Sequence, residues 1–254
     1  MPKMNLQAAF SGVILFFVFF CCDYGYTRLA PDYIHPCNDT SQACLIKATQ
    51  DAIPEFVKGN AKLGVAVLDP FTIEKLSIPL NGLTFTFYQG KVSGFRNCIV
   101  DDVISELEKR HFVLAFHCNL TIKGTYDAKG RILLFPIDGA GDATVELTNL
   151  RMKVDIKSKY IKDKQGVNHF SVKSYKYSFD YGDRVSFDIT NLFKQSKELS
   201  KTVLAFLNDN WKLVADEFGK PIVDYAVELA IKTIEKFFLV VPYEELINVP
   251  IPKF

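Results

Sequence analysis

An α+β fold is predicted, in which a highly curved antiparallel sheet wraps a long C-terminal helix to make one elongated domain. Three observations predict it. Over residues 208–241 the apolar positions Leu207, Trp211, Val214, Phe218, Ile222, Tyr225 and Leu229 recur at alternating steps of four and three, which is a helical period. From Gly64 to Thr190 the period is two, with turn residues separating strand-like runs. Antiparallel strands of such length twist and coil around whatever they cover, and the helix is the natural filling.

The chain of 254 residues is 48% hydrophobic, with 22 Phe and 11 Tyr, which favours one large core over two small ones. Its 30 basic and 29 acidic residues leave a net charge of +1, and no basic run interleaves with aromatics, so no nucleic-acid partner is expected.

Residues 1–25 read as a signal peptide and residues 26–254 as the mature domain. Lys3 supplies the positive start, Ala8 to Cys22 the apolar stretch, and Asp23 its end. The stretch is short for a membrane span, so stable membrane insertion is not expected; an uncleaved anchor is the alternative. Cleavage would remove Cys21 and Cys22 and leave Cys37, Cys44, Cys98 and Cys118. Four cysteines in an oxidising compartment suggest two disulfides, with the connectivity open. Asn38-Asp39-Thr40 and Asn119-Leu120-Thr121 are glycosylation sequons, in keeping with a secreted, extracellular protein.

A helix over residues 42–58 comes first, capped by Thr40 or Ser41, with Leu45, Ala48, Ala52, Phe56 and Val57 on its apolar side. Pro54 falls within it and should kink or divide it. Cys37 and Cys44 bracket its start, and a bridge between them would pin the lead-in to the first turn. Leu68-Asp69-Pro70 marks a turn, followed by strands near Ile73–Ile78, Phe85–Tyr88 and Val92–Phe95. Residues 101–110 fit either a short helix or a charged strand. Residues 111–126 read as a strand, Asp127-Ala128-Lys129-Gly130 as a turn, and residues 131–137 as the return strand. Residues 143–157 alternate well, a second hairpin has its tip near Lys164-Gln165-Gly166, and Tyr175, Tyr177, Phe179 and Tyr181 share one strand face. Residues 184–190 end the sheet. Helix resumes near Asn191, with a break possible at 208–210, and runs as a rod of about 45 Å until Val241-Pro242 stops it. Asp216–Lys220 and Glu228–Lys232 are spaced for ion pairing on its wet face.

Chemical motifs are scarce. There is no nucleophile elbow, phosphate loop, zinc-binding helix or redox dithiol in the mature chain, and no cofactor or metal is expected. Gly139-Ala140-Gly141-Asp142 lacks the third glycine of a nucleotide fingerprint and reads as a turn. His111 and His117 face the same way on one strand but lie roughly 20 Å apart, too far to share a metal; His35 and His169 fall in loops. The aromatic positions are core by default. Their number leaves two alternatives, a solid core or an apolar cavity faced by phenols such as Tyr175, Tyr177, Tyr181 and Tyr225.

Cys37 and Cys44 with Leu45 and Lys47 after them, Leu68-Asp69-Pro70, Gly124 and Tyr126 followed by Gly130, Pro136 with Gly139 and Gly141, and Phe206-Leu207-Asn208-Asp209-Asn210-Trp211 together resemble the insect takeout and haemolymph juvenile-hormone-binding family. The resemblance spans Cys37 to Pro242. It implies a secreted, non-enzymatic carrier of the tubular lipid-binding superfamily with an internal hydrophobic tunnel for a terpenoid, fatty acid or other lipid, and a Cys37–Cys44 disulfide. Cys98 and Cys118 depart from the juvenile-hormone binders' pattern, so hormone specificity is not carried over. With Cys37 paired locally, a Cys98–Cys118 bridge is expected. The ligand is expected along the face of Trp211, Val214, Phe218, Ile222, Tyr225 and Leu229. The helix bearing Leu45, Ala48 and Phe56 is expected to close one mouth, its far end free to swing beyond Pro54. A monomeric carrier is the leading reading; the alternatives are a secreted lipid-ester hydrolase and a signalling or interaction protein that uses the fold as a rigid body.

Overall fold

Strand-forming residues run on from His111 to Lys162, and in the computed structural model, which describes residues 28–80, 82–132 and 134–252, they form two very long strands. β4 (His111–Ile132) has 22 residues and β5 (Phe135–Lys162) has 28, against roughly 3–10 for most strands. They pair as an antiparallel spine from His111↔Lys157 to Ile132↔Phe135. β1 (Phe71–Leu80) and β2 (Leu83–Ser93) extend the later half of β4, and β3 (Ile99–Glu106) pairs its earlier half. β5 is divided likewise between β7 (Arg184–Ile189) and β6 (Asn168–Asp180). The result is a seven-stranded sheet whose path runs β1-β2-β4-β5-β6. Twist accumulated over such lengths curls it. The leader assigned to residues 1–25 lies outside the described residues.

Irregular residues decide which side chains point inward. In β5 the inward set is Ala143, Val145 and Leu147 until Asn149 adopts φ 59°, after which it is Leu150, Met152, Val154 and Ile156. In β2, Gln89 at φ 47° separates inward Phe85 and Phe87 from inward Val92. Period-two strands tolerate a skipped residue only where a bulge absorbs it.

The predicted C-terminal rod is three helices: α2 (Lys197–Asp209), α3 (Trp211–Phe218) and α4 (Lys220–Val240). At the first break Asn210 Nδ2 donates to Phe206 O at 2.8 Å, and Asn208 bonds both the N–H and the C=O of Phe187 on β7. At the second, Pro221 has no N–H to continue the ladder. The Tyr181 hydroxyl enters there and donates to Ala215 O at 2.7 Å. A Cβ on Gly219 would lie 2.0 Å from that hydroxyl, so only glycine fits. Because this break parts Asp216 from Lys220, the ion pairs on the outer face are Lys220–Asp224 and Glu228–Lys232. α4 closes the curled sheet: Val223, Val227 and Ile231 pack on Met152, Val154 and Ile156, while Ala226 and Leu229 meet the cluster of Phe71, Ile73 and Val92 from the other side.

Other expectations need correction. Asp127-Ala128-Lys129-Gly130 lies within β4, and the hairpin closes only at the Ile132↔Phe135 pair. Gly139-Ala140-Gly141-Asp142 lies within β5, where a Cβ on Gly139 would sit 2.5 Å from Asn191 O. These glycines admit a neighbouring backbone rather than make a turn. Phe193 bridges to Asp138, so helix resumes only after Ser196, whose Oγ accepts from Leu199 N at 3.2 Å. Residues 101–110 are β3 followed by a tight turn ending at Arg110, φ 55°. α1 (Gln42–Phe56) starts at Ser41 without a side-chain cap and runs through Pro54, which falls in its last turn where little ladder remains to be lost.

Cys37 is bonded to Cys44 with Cα atoms 6.0 Å apart, and Cys98 to Cys118 at 4.5 Å across the β3–β4 pair. The second bridge has a sequence separation of 20 and should contribute about 3 kcal/mol in the chain-entropy model. Replacing both Cys98 and Cys118 by Ala should lower the urea unfolding midpoint accordingly; an unchanged midpoint contradicts this.

Candidate binding cavity

The inward side chains do not fill the space between the curled sheet and α4. They leave an apolar cavity of about 610 Å³, within the range of roughly 300–1,000 Å³ typical of small-molecule sites. Phe112, Leu114 and Phe116 of β4 and Met152, Val154 and Ile156 of β5 form one wall; Val223, Ala226, Val227, Ala230 and Ile234 of α4 form the facing one. Beyond Phe85 and Leu207 the space is closed by a solid cluster containing Leu83, Phe87, Tyr126, Val203 and Val214. Burial pushes the Tyr126 phenol up to about 12, and its hydroxyl donates to Thr190 O at 2.6 Å.

Leu45, Ala48, Phe56, Val214, Phe218, Ile222 and Leu229 lie on the cavity wall. Trp211 and Tyr225 do not. Trp211 packs on the Tyr181–Ala215 cluster and lines a shallow outer groove with Asp180 and Lys212, while Tyr225 is 37% exposed. The breaks at Asn210 and Gly219 reset the helical phase, so one stripe drawn across three helices leaves the inner face. Tyr175 is likewise exposed, whereas Tyr181 does reach the wall.

α1 covers the cavity but is tied at both middle and end. Gln50 donates to Cys98 O at 2.9 Å and accepts from Val100 N at 2.8 Å, and the Phe56 ring meets Phe237 edge-on at 5.3 Å. Leu68 N and Asp69 N both donate to Val57 O just past the helix. The expected swinging end is therefore held. Asp69, 4% exposed, in turn accepts from Gly94 N, Arg96 N and Arg96 Nε, which fixes the Leu68-Asp69-Pro70 turn.

Several polar lining residues, Ser105, Glu106, Arg110, His111, Ser158 and Tyr160, gather where β3 finishes and β4 begins, and His35, Thr49 and Ser171 also line the cavity. Motif searching missed this group because its members come from several strands; the available signal was serine at Ser158, two positions on from inward Ile156. His111 Nε2 lies 2.9 Å from Asp155 and Nδ1 3.1 Å from Glu106. These hydrogen bonds, Asp155 first and Glu106 second, raise the imidazole above its ordinary value. A raised folded-state pKa gives stability that is full below the unfolded value of about 6.5 and is lost as pH rises through the folded one. Wild type should therefore lose stability relative to His111→Gln as pH rises from 6 to 8.5, and parallel profiles contradict this.

Two other histidines hold structural contacts. His117 Nδ1 lies 2.8 Å from Asp101; His169, expected in a loop, is buried in β6 with Nδ1 at 3.2 Å from Val241 O. Among the described residues no group of three or more His, Cys, Asp or Glu is arranged to hold a metal, and no helix is long and apolar enough to cross a membrane. Asn38 and Asn119 are exposed; Asn38 Oδ1 accepts from Asn248 Nδ2, and Asn119 Oδ1 from Asn149 N, so each amide nitrogen faces outward from its contact.

The crystal structure of Takeout 1 from Epiphyas postvittana is similar at 40% identity and a TM-score of 0.81, covering 84% of this chain and 99% of that one. Circadian clock-controlled protein daywake of Drosophila melanogaster is 23% identical over 227 residues, 85% of this chain and 87% of its own length. Daywake of Drosophila yakuba is 24% identical over 228 residues with the same coverage. The family model described as haemolymph juvenile hormone binding protein matches residues 13–248. With a curled sheet closed by α4 around an apolar cavity, and that match over nearly its whole length, the chain belongs to the haemolymph juvenile hormone binding protein family.

Proposed function

We propose that the protein is a secreted, monomeric, non-enzymatic carrier that holds one small hydrophobic ligand, a juvenile-hormone-like terpenoid, a fatty acid or another lipid, in its cavity. The observation that carries this reading is the cavity itself: about 610 Å³ walled almost wholly by aliphatic and aromatic side chains. Each methylene entering it gains about 0.8 kcal/mol on leaving water, enough for micromolar binding with few polar contacts after association costs. Two disulfides and the leader-like residues 1–25 support an extracellular site of action, with Asn38 and Asn119 as glycan acceptors. Against a lipid-ester hydrolase stands His111, whose two ring nitrogens both face carboxylates.

The test is displacement of an uncharged polarity-sensitive dye by terpenoid esters and fatty acids, with product assayed in the same samples. Displacement without turnover is expected. Ester cleavage abolished by a single substitution identifies a hydrolase, and failure of every apolar probe to bind favours the interaction-protein reading.

A further inference from the structure

The cavity is closed where β2 lies against the later half of β4, and the side chain that fronts this end is Phe85. It is half-buried and lines the cavity, whereas Tyr126, Ala128 and Val203 in the cluster behind it do not reach the space. Its ring stacks on Tyr126 at 5.7 Å with the planes 11° apart, and Phe87 lies beside it at 6.3 Å. Both neighbours are fixed. The Tyr126 hydroxyl donates to Thr190 O at 2.6 Å, and the Phe87 ring is wedged between Gly90 and Gly124, where a Cβ on either glycine would run into it. Phe85 is therefore one ring set in front of a wall that is held in place without it. The polar lining residues Glu106 and His111 are remote: they pair with each other where β4 begins, while Phe85 pairs with Ala128 near its end. A polar group placed against Phe85 would be buried among aromatic rings without a partner, so that end suits the apolar tail of a ligand.

We infer that Phe85 is the stop that sets the longest chain the cavity accepts, the tail of the ligand ending against its ring. The inference rests on the carrier reading and adds a chain-length limit to it. Each methylene that leaves water for the cavity improves affinity about fourfold, so affinity climbs along a homologous series until the terminal methyl meets Phe85 and climbs no further. Phe85→Ala removes the ring and, because Tyr126 and Phe87 are tied elsewhere, leaves a dry void continuous with the cavity instead of a collapsed wall. That void takes roughly four more methylenes.

The experiment measures displacement of N-phenylnaphthylamine by primary alcohols from octanol to eicosanol, from wild type, Phe85→Ala and Phe116→Ala, with circular dichroism confirming the fold of each. Phe116→Ala removes the same ring from the side wall and widens the cavity without lengthening it. Wild-type affinity should rise about fourfold per methylene up to a limiting length. In Phe85→Ala the limit should move to chains longer by roughly four carbons, and in Phe116→Ala it should stay where it is. Should Phe85→Ala not fold, Phe85→Leu carries the same comparison with a smaller shift in the same direction. Wild-type affinity that climbs through the whole series overturns the stop, and this arm needs no variant. An unmoved limit in the folded Phe85 variant also overturns it, as does an equal shift in Phe116→Ala, which would make volume rather than the end wall decisive. All three results leave the carrier reading standing. If neither the dye nor any alcohol binds wild type, the carrier reading fails and takes the inference with it.

Discussion

Ala230→Trp should weaken binding of a long-chain probe at least about a hundredfold while leaving the thermal unfolding midpoint close to that of wild type. Ala230 lies on α4 and points into open cavity rather than into packed core. An indole there occupies the space in which the ligand chain would lie. Excluding about four methylenes forfeits roughly 3 kcal/mol, and each 1.4 kcal/mol is tenfold in affinity. The substitution should not cost comparable stability, because the added ring fills a void instead of overpacking a filled site. Val214 would be a poorer place for the same change: it is 6% exposed in the solid cluster that closes the far end, where added volume forces strain. Wild-type affinity in a folded Ala230→Trp protein would place the ligand outside the cavity.

The largest stability effect is expected at Tyr243→Ala, about 4 kcal/mol or roughly 10–15 °C in unfolding midpoint. Tyr243 opens the short helix α5 (Tyr243–Leu246), is 1% exposed, and packs its ring against Phe170 at 4.9 Å and Tyr160 at 5.6 Å. Its hydroxyl donates to Val249 O at 2.8 Å, and burial raises the phenol far above its usual value. Tyr243→Phe removes only the hydroxyl and should cost about 1 kcal/mol, so the two variants separate packing from hydrogen bonding. Equal losses in both would mean that the hydroxyl, not the ring, holds the C-terminal segment. The same segment is linked to the start of the described chain, where Cys37 bridges to Ile247 and the Glu245 carboxylate accepts from Leu29 N. Tyr243→Ala should therefore also loosen the polar end of the cavity.

The order of elements was legible because period two and period 3.6 leave different traces, and both are strong here. The alternation over residues 143–157 was legible, but the switch of the inward face from Val145 and Leu147 to Leu150, Met152, Val154 and Ile156 was not, because its cause, a left-handed Asn149, is a backbone state that composition does not announce. Glycine misled twice. Gly130 and Gly139 read as turns because turns are where glycine is commonest, whereas both sit in strands where another backbone passes too close for a Cβ. The C-terminal rod misled for a related reason: the apolar stripe continued through Pro221, and the Tyr181 hydroxyl that occupies the break comes from a distant strand.

The cavity was only half legible. Helical residues such as Phe218 and Leu229 could be picked from one stripe, but most of the wall belongs to strands whose inward face depends on bulges. The motif residues that made the family recognisable mostly serve packing: Tyr126 holds Thr190, a Cβ on Gly124 would strike the Phe87 ring, and Asn208 ties the C-terminal helices to β7. They preserve the curled sheet and its join to the C-terminal helices.

Native mass spectrometry of the protein purified from its own source tests the carrier reading most directly. Wild type should arrive with a single lipid of defined mass that is released on denaturation, and Ala230→Trp secreted from the same cells should arrive without it. Wild type that arrives empty, and stays empty after incubation with terpenoids and fatty acids, contradicts the account.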